Sequence, residues 1–329
     1  MADRGDAAHR LDHAAARHLA GPFSLSRAEL QRLVAQGRVS VNGAPATRPA
    51  QRLQAGDVVQ VDTPRPPRRP APSPEALPLS ILYEDTAIVV LVKPAGMVVH
   101  PSSAHRAGTL LNGLLWHAGR DPSEAAGWQP RLVQRLDQHT SGLLVVAKSP
   151  EVHTALQGER SRFVKEYLTV VWGRPVPARG EIAHRLGRDP LDRRRVTVSD
   201  GGAAALTRYQ VLDRSRGNAR GLSLLRCELV TGRTHQLRVH LAAQGWSIVG
   251  DPVYGQPPRA RLPDVAVDRA ARGFPRQALH AWRLEFAHPR SGRRLHFEAP
   301  MPPDLAALMS VAGLGRGLPG APAAPGARV

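Results

Sequence analysis

The sequence predicts an α+β protein with a small N-terminal domain and a larger second domain. Helical and strand-like segments follow one another irregularly, and hairpin signals join several neighbouring strands. A proline-rich stretch at 63–78 divides the chain and is predicted to be a basic, semi-stiff linker. The 329 residues suffice for both domains and for a core without disulfides. Cys227 is the only cysteine, which excludes a disulfide framework and a cysteine-based metal site.

The strongest global signal is positive charge. Lys and Arg number 45 against 27 Asp and Glu, so the formal net charge is +18 and the pI is near 11.5. Such a field concentrates polyanions, which makes nucleic acid the first partner to expect and an anionic membrane the second. A high-GC coding bias would also enrich arginine. No uncharged apolar run could span a bilayer and the N-terminus lacks an apolar signal stretch, so a soluble, cytoplasmic protein is expected.

The small domain is predicted at 1–62. Its expected elements are a helix at 10–20, a second helix opened by the capping box Ser26–Glu29 and ended by Gly37, a hairpin at Asn42-Gly43, and a strand at 58–61. The basic residues on the second helix and the turn after it are Arg27, Arg32 and Arg38, which could form only a solvated helix face.

The second domain is predicted at 79–312. Its expected elements, in order, are a hairpin at 81–92, a helix at 108–117, two strands around a loop in 131–148, a helix at 150–162, a strand at 165–172 with Tyr167, Thr169 and Val171 on one face, short strands in 181–213, a strand at 222–230, a helix at 234–245, and two strands in 279–300. Residues 257–276 are predicted to be a basic, proline-rich loop. Residues 313–329 are predicted to be a disordered tail.

Asp137 is the first candidate for chemistry. It lies in a sharp polar loop between two apolar runs, and a charge between buried strands is costly unless it is paired or used. The alternative is that Asp137 only hydrogen-bonds its own turn. Ser141 in the same loop suggests a hydrolase as a further alternative, but no Gly-x-Ser-x-Gly motif surrounds it.

The stretch TGRTHQLRVHLAAQG at 231–245 predicts a helix capped by Thr234, with Leu237 and Leu241 four apart and an end at Gly245. Arg233 and Arg238 then lie near its N-terminus, where the helix dipole already favours an anion. These arginines indicate a bound negative group, either a phosphate or the Asp137 carboxylate. His235 and His240 are too few for a metal site, so no metal is expected.

Six stretches carry a resemblance to a known family. They are LVKPAGMVVHPS, RLVQRLDQHTSGLLVVAK, FVKEYLTVVWG, LVTGRTHQLRVHLAAQG, VGDPVYG and RQALHAWRLEFAHPRSG, and they span about 80–303. The chain resembles the RluA-type pseudouridine synthases, and within them the branch that modifies large-subunit ribosomal RNA. Its N-terminus, with SRAELQRLVAQGRVSVNG and LQAGDVVQV, resembles the small RNA-binding domain shared with ribosomal small-subunit protein four. This resemblance implies that the second helix and the turn after it contact RNA, with Arg27, Arg32 and Arg38 as the candidate RNA-binding residues.

The resemblance implies a mixed, mainly antiparallel-sheet catalytic domain with a central RNA cleft. It implies that Asp137 is the catalytic aspartate, that Arg238 pairs with it and that Tyr167 packs on the target uracil. It also implies that Arg135 displaces the target base, and that Gln134, Arg233 and His235 contact RNA. Two departures concern the target: Gln134 stands where family members commonly have His, and Gly201–Ala205 lacks a common Lys.

The implied reaction breaks the glycosidic bond of a uridine, turns the base and rejoins it through carbon 5. It changes no oxidation state, so no cofactor is expected. The protein is expected to act on RNA as a monomer that needs no protein partner. An ionised carboxylate in a closed site could attack the sugar, add to the base or remove a sugar proton. The alternatives are a non-catalytic ribosome-assembly factor, a synthase acting on tRNA, and a membrane-surface or DNA-binding protein recruited by charge alone.

Overall fold

The structure is a computed structural model. It divides into two compact units, Met1–Ala71 and Pro72–Val329, and the division falls within the predicted linker. The residues that the structure describes are 9–19, 27–62, 71–102, 105–120, 127–158, 162–192, 195–216, 221–316 and 318.

The first unit pairs two helices with a small antiparallel sheet. Its elements are α1 (Leu11–Leu19), α2 (Arg27–Ala35), β1 (Val39–Val41), β2 (Ala44–Pro45) and β3 (Val59–Val61), with strand order β2-β1-β3. Asn42 and Gly43 both have positive φ, as the two-residue hairpin turn requires. Both helices, the hairpin and the later strand are confirmed. Ser26 of the predicted capping box lies outside the described residues.

The second unit is organised by one large sheet. Its strands are β4 (Ser80–Glu84), β5 (Ile88–Lys93), β6 (Arg131–Leu132), β7 (Ser141–Ala147), β8 (Val164–Trp172), β9 (Arg179–Ile182), β10 (Leu186–Arg188), β11 (Val196–Val198), β12 (Thr207–Arg214), β13 (Leu222–Leu229), β14 (Leu279–Ala287) and β15 (Arg294–Glu298). The helices are α3 (Leu110–Ala118), α4 (Pro150–Gln157), α5 (Gln236–Ala243), α6 (Val265–Arg272) and α7 (Pro303–Val311).

The large sheet has ten strands in the order β4-β5-β7-β14-β8-β13-β12-β9, with β6 beside β7 and β15 beside β14. Strands β10 and β11 form a separate pair. All pairings are antiparallel except that of β7 with β14. The predicted α+β class with a mainly antiparallel sheet is therefore confirmed.

The centre of the sheet is covered on both faces. Alternate residues of β5 and β7 enter two cores: Val89, Leu91, Leu144 and Val146 join one, while Ile88, Val90, Leu143 and Val145 join the other. The first core is closed by α3, α5, α6 and α7, and the second by α4. This two-sided burial explains why 143–147 reads as an uninterrupted apolar run.

Gly142 lets two central strands meet next to the Asp137 loop. Its φ is +119°, and a Cβ there would lie 2.2 Å from the carbonyl oxygen of Ala281, its register partner on β14. Only glycine fits this approach. The loop that carries Asp137 is thereby fixed against β14 at its downstream end.

Three local predictions need correction or extension. The predicted loop at 257–276 contains α6, because Asp264 accepts hydrogen bonds from the N–H groups of Ala266 and Val267 and so caps a helix. Helix α7 was not predicted. In the predicted tail, Leu314 is buried and the Gly315 N–H donates to Asp213, so these residues are ordered; residues 317 and 319–329 lie outside the described part.

Candidate active site

Asp137 lies in the loop between β6 and β7, as the apolar runs around it predict. Its carbonyl oxygen accepts a hydrogen bond from the Thr140 N–H, which closes the turn. Its side chain is 25% exposed, and Oδ2 accepts a 2.9 Å hydrogen bond from Arg238 Nη1. The backbone of Asp137 thus closes a turn, while its carboxylate is paired with a buried guanidinium and still reaches solvent.

Arg238 lies between two carboxylates. Its Nε and Nη2 donate to the two oxygens of Asp251 at 2.7 and 2.9 Å, and Nη1 is left for Asp137. The guanidinium carbon lies 5.0 Å from the ring centre of Tyr254. Burial alone would lower the pKa of Arg238, but Asp251 and Asp137 raise it above its ordinary value. Arg238 is therefore a permanent cation held in one orientation.

The N-terminus of α5 differs from the prediction. His235, in the left-handed region at φ 55°, is the N-cap residue, and Thr234 is not. The turn is closed by Gln236, whose side-chain oxygen accepts from the Arg233 N–H and from the Thr231 hydroxyl. The side chain of the N-cap residue makes no capping hydrogen bond, so the usual search for Ser or Thr places the cap one residue too early.

His235 faces the carboxylate of Asp137 without bonding to it. Its Nε2 lies 3.9 Å from Asp137 Oδ1, and its Nδ1 lies 2.8 Å from the hydroxyl of Tyr254. Burial lowers the pKa of His235 below its usual value, although the Asp137 charge opposes this shift. The imidazole is therefore mainly neutral near pH 7.

Tyr167 lies on β8 and lines the same pocket as Asp137. It is only 7% exposed, and burial, with a smaller effect of the Asp137 charge, raises its pKa above the ordinary value. Its hydroxyl therefore stays protonated. Lys165, two residues earlier and so on the same strand face, also lines the cleft, and burial lowers its pKa. The alternation that places Tyr167, Thr169 and Val171 on one face extends back to this lysine, which was not predicted as a site residue.

Buried side chains hold the residues that follow Asp137. Lys93 Nζ donates to the carbonyls of Pro94, Met97 and Gln138 at 2.6, 3.0 and 2.9 Å. Arg276 Nη1 donates to the carbonyl of His139 at 3.1 Å, and Gln277 Nε2 donates to the Thr140 hydroxyl at 3.1 Å. The loop is thus fixed at three consecutive residues. Lys93, Arg276, Gln277 and Asp251 all lie in stretches that carry the family resemblance, but none was predicted as a site residue.

A basic cleft leads to Asp137. The cleft has a volume of about 620 Å³, and its described lining includes the cations Arg135, Lys165, Arg188 and Arg233, with Asp137 as the single acid. A smaller inner pocket of about 50 Å³ adjoins it and is lined by Asp137, Arg238, Tyr167 and His235. The exposed Arg135 lines both spaces. The arrangement suits a polyanion in the cleft, with Asp137 where the cleft adjoins the inner pocket.

The two positions that depart from the family pattern lie near this cleft. Gln134 lines it, and its Nε2 makes only a long 3.5 Å contact with the Leu143 carbonyl. In the segment that lacks the common lysine, the Ala204 carbonyl accepts a 3.2 Å hydrogen bond from Arg233 Nε. A cation from another element therefore lies against this segment.

The three arginines predicted in the first unit are each paired there with a carboxylate. Arg27 contacts the buried Asp12 at 2.9 Å, Arg32 contacts Glu29 at 2.8 Å, and Arg38 contacts Asp62 at 2.9 Å. Arg27 thus has a structural role, since Asp12 is fully buried and also accepts from Arg10 and Gln31.

Other candidate chemistry is not supported by the geometry. Ser141 contacts His280 at 2.9 Å, but both side chains are buried away from any substrate, so the pair is unsuited to a hydrolase. Among the described residues no cluster of three or more His, Cys, Asp or Glu could hold a metal ion, and no helix is long and apolar enough to cross a membrane. A cavity of about 700 Å³ near Trp116 and Arg120 is lined by a different ion pair, in which Lys148 Nζ lies 2.7 Å from Glu84 Oε1.

Comparison with known proteins decides the family. The family model for RNA pseudouridylate synthases matches residues 87–243, and the S4 domain model matches residues 22–59. Ribosomal large subunit pseudouridine synthase D of Nitrosomonas europaea is 41% identical over 302 residues, which cover 91% of this chain and 83% of that protein. The chain belongs to the RNA pseudouridylate synthase family.

Further relatives agree with this membership. Ribosomal large subunit pseudouridine synthase D of Xanthomonas campestris is 43% identical over 290 residues, covering 87% of this chain and 84% of that protein. The solved structure of human RNA pseudouridylate synthase domain containing 4 has a TM-score of 0.57 at 25% identity and covers 72% of this chain and 94% of its own. The predicted RluA-type family, the N-terminal S4 domain and the isomerase activity are thereby confirmed, with RNA as the partner.

Proposed function

We propose that this RNA pseudouridine synthase isomerises uridines in large-subunit ribosomal RNA, with Asp137 as the catalytic group. The observation that supports the role of Asp137 is its position: a carboxylate at the junction of a basic cleft and a small inner pocket, held by a buried arginine. The rRNA target rests on the names of the curated relatives from Nitrosomonas and Xanthomonas.

Base flipping is the first step of the proposed reaction. A stacked uridine cannot reach the inner pocket, so its base must leave the RNA helix at a cost of a few kcal/mol. Arg135 is exposed at the mouth of the pocket and is suited to occupy the vacated place. Tyr167 lies inside, where an aromatic ring can support the extruded base.

The chemistry then takes place against Asp137. The bond from the sugar C1′ to the base N1 breaks, the base turns, and a bond from C1′ to C5 forms. The C5 hydrogen leaves as a proton and N1 gains one, so the net reaction is an isomerisation that consumes no oxidant or cofactor. The guanidinium of Arg238 holds the Asp137 carboxylate in position for this step.

The surrounding cations supply affinity. Lys165 and Arg233 in the cleft are suited to phosphates of the RNA backbone, and Gln134 to a polar group of the RNA. The arginines of the first unit are each paired with a carboxylate but remain partly exposed. We propose that they add weaker RNA contacts; they are Arg27, Arg32 and Arg38. The enzyme is proposed to work as a cytoplasmic monomer.

The target is tested by mapping pseudouridines in total RNA from cells with and without the gene. We expect one or a few pseudouridines of large-subunit rRNA to disappear on deletion and to return with the wild-type gene. Loss of pseudouridines from tRNA alone would contradict the rRNA assignment. An unchanged map of both RNA classes would contradict the proposed function in these cells.

A further inference from the structure

The inner pocket has an apolar wall and a short polar edge. Leu136, Leu229, Leu237 and Leu279 line it together with Tyr167. The polar lining residues are Arg135, Asp137, Thr140, Arg233, His235, Gln236 and Arg238. A pyrimidine matches this division, because its faces are apolar and its hydrogen-bonding groups lie in the ring plane.

Several polar side chains at this edge already make hydrogen bonds within the protein. Gln236 donates from Nε2 to the Leu206 carbonyl and the Thr207 hydroxyl, and its oxygen accepts two further bonds. Arg238 uses all three of its nitrogens on Asp251 and Asp137. The Thr140 hydroxyl accepts from Gln277. Arg135 and Arg233 are exposed, so the remaining side-chain donors of the lining are the His235 imidazole and the Thr140 and Tyr167 hydroxyls. Of these, the imidazole lies within 3.9 Å of Asp137 and is held by Tyr254.

The contact with Tyr254 bears on which ring nitrogen of His235 carries the proton. The oxygen of Tyr254 accepts a 2.9 Å hydrogen bond from the Val196 N–H and lies 2.8 Å from His235 Nδ1, and we assign the Tyr254 proton to this second contact. Nδ1 is then the acceptor, and the neutral ring carries its proton on Nε2. Nε2 lies 3.9 Å from Asp137 Oδ1, which is too long for a hydrogen bond.

We propose that His235 Nε2–H donates a hydrogen bond to a carbonyl oxygen of the flipped uracil, and that Tyr254 fixes the ring in the tautomer that can do so. The inference rests on the proposed function, since it assigns the base-recognising group of the same site. Uracil offers two carbonyl oxygens in its plane, and the N-cap position beside the committed Gln236 side chain holds the imidazole in place. A base that offered no acceptor here would leave a buried donor unpaired, which disfavours it.

Two amide variants of His235 distinguish the roles of its two ring nitrogens. In His235→Gln the amide nitrogen can take the place of Nε2. In His235→Asn the shorter amide takes the place of Nδ1 and cannot reach the substrate, while Asn tolerates the left-handed backbone. We expect His235→Asn to lower kcat/KM by roughly 10–100-fold, the range for removal of one buried hydrogen bond. His235→Gln should stay within roughly tenfold of wild type, and the RNA Kd of both variants should stay within a few-fold of wild type, because the cations of the cleft supply most of the affinity.

Sulfur substitution in the RNA identifies the acceptor. A short RNA with the mapped target uridine is prepared with uridine, 2-thiouridine or 4-thiouridine at that position, and pseudouridine formation is timed by mass spectrometry. Sulfur is a weak acceptor, so one of the two substitutions should slow the wild-type enzyme. The same substitution should slow His235→Asn by a clearly smaller factor, because the bond is already absent.

The inference is overturned if His235→Asn retains wild-type kcat/KM, if neither sulfur slows the wild type, or if each sulfur slows both enzymes equally. Failure of the proposed function looks different. It would appear as a wild-type enzyme that forms no pseudouridine in the oxygen-containing RNA, and the inference would fall with it. Asp137→Asn serves as the inactive control for each RNA.

Discussion

At the residue scale, the two carboxylates that hold Arg238 differ in exposure. The Asp251 side chain is 1% exposed and makes two bonds to the guanidinium, whereas Asp137 is 25% exposed and makes one. Asp251 also accepts the N–H groups of Val253 and Tyr254, so its position is set by its own turn. Asp251 is therefore the fixed anchor of Arg238, and Asp137 is the carboxylate free to meet a substrate.

Replacing Asp251 by Asn should lower kcat by roughly 10–100-fold while the RNA Kd stays within a few-fold. The variant leaves Arg238 without its anionic anchor, and a displacement of about 1 Å at Asp137 suffices for a loss of that size. Steady-state kinetics on the target RNA measures it. Asp268→Asn is the matched control, since Asp268 is equally buried and paired with Arg272, away from the cleft. Equal loss of kcat in both variants would contradict the anchoring role of Asp251.

Some site residues could be predicted from the sequence and others could not. Arginines near the start of a helix indicate an anion, and the structure brings Arg238 to Asp137 across 101 positions of the chain. Lys93 and Asp251 gave no comparable signal, because a lysine at a strand end or an aspartate in a turn is ordinary by itself. Only the three-dimensional packing shows that their charges are buried.

At the scale of elements, Lys93 at the end of β5 joins two loops. Its ammonium group binds the carbonyls of Pro94 and Met97 on its own side and of Gln138 in the Asp137 loop. Burial, and then the charge of Arg276, lower the pKa of Lys93 to about 7, although Asp137 opposes the shift. Keeping Lys93 charged in this buried position therefore lowers the free energy of unfolding, by an amount that depends on pH.

The sign of this dependence follows from proton binding. Between pH 7 and 10 the unfolded chain keeps a proton on Lys93 that the folded protein tends to lose, so the free energy of unfolding rises with pH by at most about 1.4 kcal/mol per unit. Lys93→Met lacks this contribution. We expect the difference in unfolding free energy, wild type minus variant, to grow between pH 7 and 9 in urea titrations. A difference that stays flat or shrinks would contradict the burial of a titrating lysine.

The strands and hairpins were predicted well because their apolar alternation and turn residues are local. The sequence predicts a loop where α6 lies, because its prolines and arginines outweigh the Asp264 cap and the spacing of Val267 and Ala271. The cap of α5 was misplaced by one residue because His235, in the left-handed backbone region and without a side-chain capping bond, begins the helix where no Ser or Thr stands. Such features depend on partners that local propensity does not include.

At the scale of the whole molecule, positive charge is present in both units. The first 71 residues contain 11 Lys or Arg against 6 Asp or Glu, and the cleft of the second unit is lined mainly by cations. The match to the S4 domain model lies in the first unit and that to the synthase model in the second. The sequence resemblance predicted that the two units match different families. The volume of the cleft, and the finding that Asp137 is the single acid in its described lining, could be obtained only from the structure.

Deleting residues 1–71 should weaken RNA binding and reduce its salt dependence. The slope of log K against log salt concentration should become less negative by roughly 0.7–0.9 for each RNA phosphate that the first unit neutralises. Filter binding of the target RNA between about 50 and 200 mM salt measures both quantities. Pseudouridine formation at saturating RNA should persist, because the proposed catalytic residues all lie in the second unit. An unchanged slope would contradict the role of the first unit in RNA binding.

The most direct test of the account is the rate at which tritium is released from RNA labelled at carbon 5 of uridine, in wild type and in Asp137→Asn. The variant keeps the size and polar character of the side chain but removes the carboxylate. We predict that tritium release falls to the level of an enzyme-free control, while the RNA Kd stays within a few-fold of wild type. Tritium release at the wild-type rate would contradict the assignment of Asp137 as the catalytic group.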